Sequence, residues 1–164
     1  MNKTTMTAIL ASPALLLAGS LFVGRPTPAA TSRLAPTAPR LAFDHTTVEV
    51  RDLERSAQFY ERTMGFERIP EPFHDGRHIW FRIGEHEQLH VVSGAAAAAT
   101  NPIGVHFAFR AGSLAEFMAH MDAMKVKYRS FDGKEKFTAR SDGVKQTYLQ
   151  DPDGYWIEVN DGKF

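Results

Sequence analysis

DHTTVEVRDLERSAQFYERTMGF, from Asp44 to Phe66, and VHFAFRAGSLAEFMAHMDAMKVK, from Val105 to Lys127, are two versions of one pattern. A shift of 61 residues lays His45 on His106, Val48 on Phe109 and Leu53 on Leu114. Farther along, a shift of 68 lays Trp80 on Tyr148, Phe81 on Leu149, Leu89 on Ile157 and His90 on Glu158. Self-similarity at a fixed spacing marks a repeated structural unit. Each unit carries one potential metal ligand near its start and another near its end. A folded duplication would therefore offer four: His45, His90, His106 and Glu158. That points to a metal-binding cup.

Working outward, the hydrophobic period gives the elements. Phe43 to Val50 is a strand with Val48 and Val50 on one face and His45 and Thr47 on the other. Asp52 caps a helix whose apolar stripe is Leu53, Ala57, Tyr60 and Met64, and Gly65 ends it. Short strands follow at Phe66 to Pro70, His78 to Ile83 and Gln88 to Val92. The second unit repeats the order. Val105 to Arg110 is a strand with Val105, Phe107 and Phe109 on its apolar face. Ser113 caps a helix that buries Leu114, Phe117, Met118, Met121 and Met124. A strand near Val126 to Phe131 precedes the polar segment Asp132 to Gly143, which absorbs the seven-residue difference between the two shifts. Lys145 to Gln150 and Tyr155 to Asn160 form a last hairpin. Asp151-Pro152-Asp153-Gly154 joins them as a type I turn, with Pro second and Gly last. The expected fold class is α+β: two tandem βαβββ modules forming a cupped, mostly antiparallel sheet with the helices outside.

Composition narrows the chemistry. The 164 residues are 43% hydrophobic and 23% charged, with no net charge and no basic block, so nothing indicates nucleic acid. There is no cysteine, which excludes disulfides, thiolate nucleophiles and cysteine-ligated zinc. Any metal must rest on imidazole and oxygen. The first 30 residues have the form of a signal peptide: Lys3, a 16-residue apolar run from Ala8 to Val23, small residues at Ala29 and Ala30, and no acid before Asp44. That run is short of the roughly 20 residues of a comfortable membrane span; an uncleaved anchor is the alternative. Cleavage would remove Lys3 and Arg25 and leave 17 basic against 19 acidic side chains. Residues 31–40 form a flexible linker rich in Pro, Ala and Thr. The folded domain is placed at 41–164, with module one at 41–94, a connection at 95–103 and module two at 104–162. The expected product is an exported protein, in a bacterial periplasm or secreted, with no membrane contact after cleavage.

The opening histidine in DHTTVEV, the sequence RSAQFYERTMGF, the closing DPDGYWIEV and the repeated unit together resemble the vicinal oxygen chelate superfamily. That group includes glyoxalase I, methylmalonyl-CoA epimerase, fosfomycin-resistance enzymes, extradiol dioxygenases and bleomycin-binding proteins. The resemblance spans about Leu41 to Asp161. It implies that metal ligands come from the first and last strands of each module, here His45, His90, His106 and Glu158. In glyoxalase I the place of His90 is usually Glu and in the epimerase it is Gln; this chain departs from both. Strand alternation agrees for three of the four. Leu89 and Val91 flank His90, Ile157 and Val159 flank Glu158, and Val105 and Phe107 flank His106, so these polar side chains face away from the apolar side. His45 has polar neighbours and rests on its equivalence with His106. Trp80, Arg82 and Tyr148 fall on the same face and would line a substrate pocket, Arg82 through its planar fork of donors. His74, His86 and His120 are expected at the surface.

Three functions follow. The first is a metal-dependent lyase or isomerase of the glyoxalase type acting on a small oxygen-rich molecule. Its divalent transition metal (Zn, Ni, Co, Mn or Fe) binds vicinal oxygens, and Glu158 moves a proton. The second is an Fe(II)-dependent extradiol-type dioxygenase, since two His and a Glu can form a facial triad. A fourth protein ligand would take a position that oxygen or a catechol needs. The third is a non-catalytic small-molecule binding or antibiotic-resistance protein, in which a complete ligand set has no role. The first is favoured. Both closure of the cup within one chain and exchange between two chains, giving a homodimer, are compatible with the repeat.

Overall fold

Val48 and Val50 alternate with polar residues and are fully buried, and this alternation sets the first strand of a four-stranded sheet. The computed structural model describes residues 40–163. The expected signal peptide and all but the last residue of the linker lie outside the described residues. Among the described residues no helix is long and apolar enough to cross a membrane.

In module one, β1 (His45–Val50) leads into α1 (Leu53–Arg62), then β2 (Glu67–Ile69), β3 (His78–Arg82) and β4 (Gln88–Ser93). The Asp52 side chain accepts the Arg55 amide at 3.1 Å and caps α1. Gly65, at φ +73°, turns the chain out of the helix. The sheet order is β1-β4-β3-β2, with β1 parallel to β4 and the other pairs antiparallel. Module two has β5 (His106–Arg110), α2 (Leu114–Ala123), β6 (Tyr128–Arg129), β7 (Thr138–Ala139), β8 (Lys145–Gln150) and β9 (Trp156–Asn160). Its order is β5-β9-β8-β6, with β5 parallel to β9 and the short β7 also on β8. The repeat extends to register. His45 opposes Gln88 as His106 opposes Trp156, and Trp80 opposes His90 as Tyr148 opposes Glu158.

Two details depart from the sequence expectation. The polar segment after β6 folds back as β7, which fills the free stretch of the β8 edge beyond the two residues of β6. Val105 lies before β5 and is 56% exposed, and Met124, the last residue of the α2 stripe, is 41% exposed. Both sit beyond the ends of their elements, where no neighbour covers them.

One apolar cluster serves both modules. Val48, Tyr60, Phe81, Leu89 and Val91 come from the first, and Leu114, Met121, Leu149, Ile157 and Val159 from the second. Each large aliphatic or aromatic side chain so buried contributes about 1.5–3 kcal/mol. The strands are hydrogen-bonded as two sheets, and side chains join them. The Tyr155 hydroxyl accepts from the Glu49 amide (3.2 Å) and donates to the Glu49 carbonyl (3.1 Å). Asp153 accepts from the Arg51 amide, Arg51 Nε and the Ser56 hydroxyl, and Asp151 accepts the Tyr60 hydroxyl at 2.7 Å. The β8–β9 turn of module two thus plugs the start of α1 in module one. The helices cover one face of each sheet, and the ligand candidates occupy the other.

Candidate metal centre

His90 and Trp80 oppose each other across β3 and β4, so both rings rise from the face away from Leu89 and Phe81. Their rings stack at 3.8 Å with 4° between planes, and His45 stacks on the far side of His90 at 4.2 Å and 14°. Three rings therefore fix one imidazole in the middle. His90 Nε2 donates to Gln88 Oε1 at 2.9 Å, leaving Nδ1 with the lone pair. Burial, reinforced by the nearby His45 and His78 and opposed by Asp44, holds the His90 pKa below its ordinary value. That shift favours the neutral ring that a metal ligand must offer. His45, 43% exposed at its side chain, gives Nδ1–H to Asp44 Oδ2 at 2.5 Å and leaves Nε2 free.

The second module builds the matching pair. His106 donates Nδ1–H to the Ile103 carbonyl at 2.7 Å, which puts the lone pair of the neutral ring on Nε2. That nitrogen lies 3.3 Å from Glu158 Oε2. Glu158 is only 7% exposed. Its Oε2 accepts the Tyr148 hydroxyl at 2.6 Å, and its Oε1 accepts Asn160 Nδ2 at 2.8 Å. Gln146 Nε2 donates in turn to the Tyr148 oxygen at 2.6 Å. Burial, followed by the bond to Glu158, raises the Tyr148 pKa well above the phenol range, so the phenol stays a donor.

Each imidazole of the set has one nitrogen anchored by an oxygen acceptor, as metal-ligating histidines do, and the second nitrogen of His106 is turned to Glu158. The separation of 3.3 Å between His106 Nε2 and Glu158 Oε2 also fits two donors on one tetrahedral ion with bonds of about 2.0–2.2 Å. The donor chemistry fits a divalent transition metal. The structure brings the four residues together as two pairs, His45 with His90 and His106 with Glu158. Among the described residues no three His, Asp or Glu side chains gather at one point.

The residues expected around the substrate divide. Trp80 faces the first pair, and its buried Nε1–H has no hydrogen-bond partner among the described residues. Tyr148 is 2% exposed and its hydroxyl is engaged by Glu158, so it supports that carboxylate directly. Arg82 is 54% exposed at its side chain and pairs with Glu67 at 3.3 Å. His74, His86 and His120 are exposed, and His120 donates to the Arg62 carbonyl. Sequence reasoning passed over Gln88, Gln146 and Asn160. Each stands two residues from a chosen residue in a strand, and period-two alternation alone would have placed it on the same face. Asp44 and the Ile103 carbonyl gave no such signal.

The profile of the Glyoxalase/Bleomycin resistance protein/Dioxygenase superfamily matches residues 42–159, a span that contains all four candidate ligands. The chain belongs to this superfamily. It is 25% identical to a lactoylglutathione lyase of Pseudomonas putida over 80% of this chain and 91% of that protein. The fold is also that of the lactoylglutathione lyase from Agrobacterium tumefaciens (TM-score 0.57, 23% identity, 75% of this chain and 95% of that one). The fosfomycin resistance protein from Listeria monocytogenes shares it as well (TM-score 0.59, 19% identity, 77% and 97%). Members of the superfamily act on small molecules, typically with a divalent metal, and often as dimers.

Proposed function

We propose that the chain is an exported metal-dependent enzyme of the glyoxalase-like lyase or isomerase type, acting on a small oxygen-rich substrate. The contact between His106 and Glu158 carries the proposal. With Nδ1–H given to the Ile103 carbonyl, His106 turns its Nε2 toward a carboxylate oxygen 3.3 Å away. Two acceptors facing each other at low exposure repel unless a cation or proton lies between them. A divalent transition metal held by His45, His90, His106 and Glu158 would polarise vicinal oxygens of the substrate. Glu158 is the single carboxylate of the set. Its Oε1 and Oε2 are aimed by Asn160 and Tyr148, so it is the group to accept and return a proton. Trp80, stacked on His90, would form one wall of the substrate site.

Because the two ligand pairs stand on separate sheets, the proposal includes a homodimer. His45 and His90 of one copy would face His106 and Glu158 of a second. The relationship to lactoylglutathione lyases supports the lyase or isomerase chemistry over the dioxygenase alternative. The complete donor set argues against binding without catalysis.

His106→Ala should lower metal content and activity together, while His120→Ala, on the exposed side of α2, should match the wild type. Glu158→Gln keeps an oxygen but no proton acceptor. It should retain most metal by elemental analysis and lose about 10²–10⁴-fold in turnover. Full turnover of metal-loaded Glu158→Gln protein would refute the proton-transfer role. For export, mass spectrometry of secreted material should find a first residue between Leu21 and Ser32. An intact Met1 on exported protein would contradict cleavage and indicate a membrane anchor.

A further inference from the structure

Beside the Glu158 pair, β6, β8 and β9 form a half-open cavity of about 300 Å³ lined in part by Lys127, Arg129, Tyr148, Gln150 and Trp156. This is at the small end of ligand-binding pockets. The residues converge for a simple reason. Arg129 opposes Tyr148, Tyr148 opposes Glu158, and Gln150 opposes Trp156, so period-two alternation puts them on one face. We infer that this cavity is an oxyanion subsite in which Arg129 holds a carboxylate or phosphonate group of a small-molecule ligand against Trp156.

Three observations carry it. The Arg129 guanidinium lies 4.9 Å from the centre of the Trp156 ring, a cation–π contact that holds the group against the indole. Gly133 of the following loop leaves room for that group, since a β-carbon there would stand 2.5 Å from Arg129 Nη1. The guanidinium is thus partly buried and held, yet among the described residues no carboxylate pairs with it or with Lys127. The acids of the adjoining segments are engaged elsewhere, Asp122 by Lys136 and Asp132 by Ser130 and Lys134. Arg82, the cation the sequence favoured for this task, is tied to Glu67. A guanidinium held in place with no carboxylate partner among the described residues suits bidentate capture of an oxyanion. Trp156 and Tyr148 add an apolar wall for a short hydrocarbon or ring attached to that anion. The shared Tyr148 places the subsite next to Glu158, so the inference rests on the proposal that this face holds the substrate. It does not rest on the metal.

The test uses the purified protein stripped of metal with a chelator, and phenylphosphonate as the probe. The chain has two tryptophans, so the Trp156 indole resonance is assigned by its survival in Trp80→Phe protein. Phenylphosphonate should shift that resonance saturably, and uncharged benzamide should not. Arg129→Met, which keeps the apolar stem over Trp156, should weaken binding by about tenfold or more, the loss of one charge-assisted pair, and Arg129→Lys should recover part of it. Unchanged affinity in Arg129→Met, an equal response to benzamide, or no saturable binding by wild type would each overturn the inference. Should Arg129→Met fail to fold, the phenylphosphonate and benzamide comparison on wild type decides alone. Since no metal is present, failure of the metal proposal leaves this result unaffected, and the reverse holds too.

Discussion

Asp153 is nearly inaccessible yet accepts three hydrogen bonds, and its partners explain how an ionised carboxylate is tolerated there. Burial pushes its pKa up, but the side-chain and backbone bonds of Arg51 and the hydroxyl of Ser56 outweigh that and leave it below the ordinary value. Its neighbour Asp151 goes the other way, because burial exceeds the bonds from Tyr60, Tyr155 and Asp153. The two signs differ in consequence. The stability linked to Asp153 is present above its unfolded pKa and is lost as pH falls through the lower folded value. The stability linked to Asp151 is present below its unfolded pKa and is lost as pH rises through the higher folded value. Asp153→Ala should lower unfolding free energy by about 2–3 kcal/mol in urea titrations, because it strands the Ser56 hydroxyl and the Arg51 amide. The ion pair itself adds less, since Arg51 is 42% exposed at its side chain. Ser56→Ala should cost only about 1 kcal/mol. Equal, negligible losses for both would mean that the contact between the β8–β9 turn and α1 does not hold the modules together.

At the scale of elements, the β8–β9 turn shows why the DPDG sequence is so informative. Gly154 donates to the Asp151 carbonyl and adopts φ +89°, and Asp151 N bonds the Tyr155 carbonyl, a type I turn followed by a left-handed residue. A β-carbon on Gly154 would also stand 2.5 Å from the Ala99 carbonyl oxygen. Gly154→Ala should therefore cost about 2–3 kcal/mol, from backbone strain and the collision together. Gly65→Ala, at φ +73° in open space, should cost about 1 kcal/mol by the same urea titration. Equal costs would remove the close approach as a factor. The helices, their caps and the long strands were legible from periodicity, because each buries a continuous apolar stripe or alternating face. β7 was not, because two residues, Thr138 and Ala139, carry no period at all. That His45, His90, His106 and Glu158 stand on strand faces turned away from the core was legible, but their division into two pairs was not, since the repeat by itself put all four in one cup. The ring stack around His90 and the Tyr148 and Asn160 bonds to Glu158 were not legible either, because they depend on rotamers that alternation does not specify. The Asp151 and Asp153 contacts escaped for another reason: turn chemistry accounts for both residues without any reference to α1.

For the whole molecule, a single hydrophobic cluster and the Asp153 contact join the two modules into one body, while hydrogen bonding keeps two sheets. Each sheet presents half of a ligand set. Mixing complementary variants tests most directly whether the halves form one centre across two copies. One variant carries His45→Ala and His90→Ala, and the other carries His106→Ala and Glu158→Ala. Co-expressed with different tags and purified through both, the mixed dimer contains one pairing with all four ligands intact and one with none. Elemental analysis should find about one divalent metal per mixed dimer, and none in either variant purified alone. A mixed dimer without metal, beside a wild type that binds one per chain, would contradict the shared centre and place all four ligands of each site within a single chain. Wild-type protein that takes up no metal would contradict the metal centre itself.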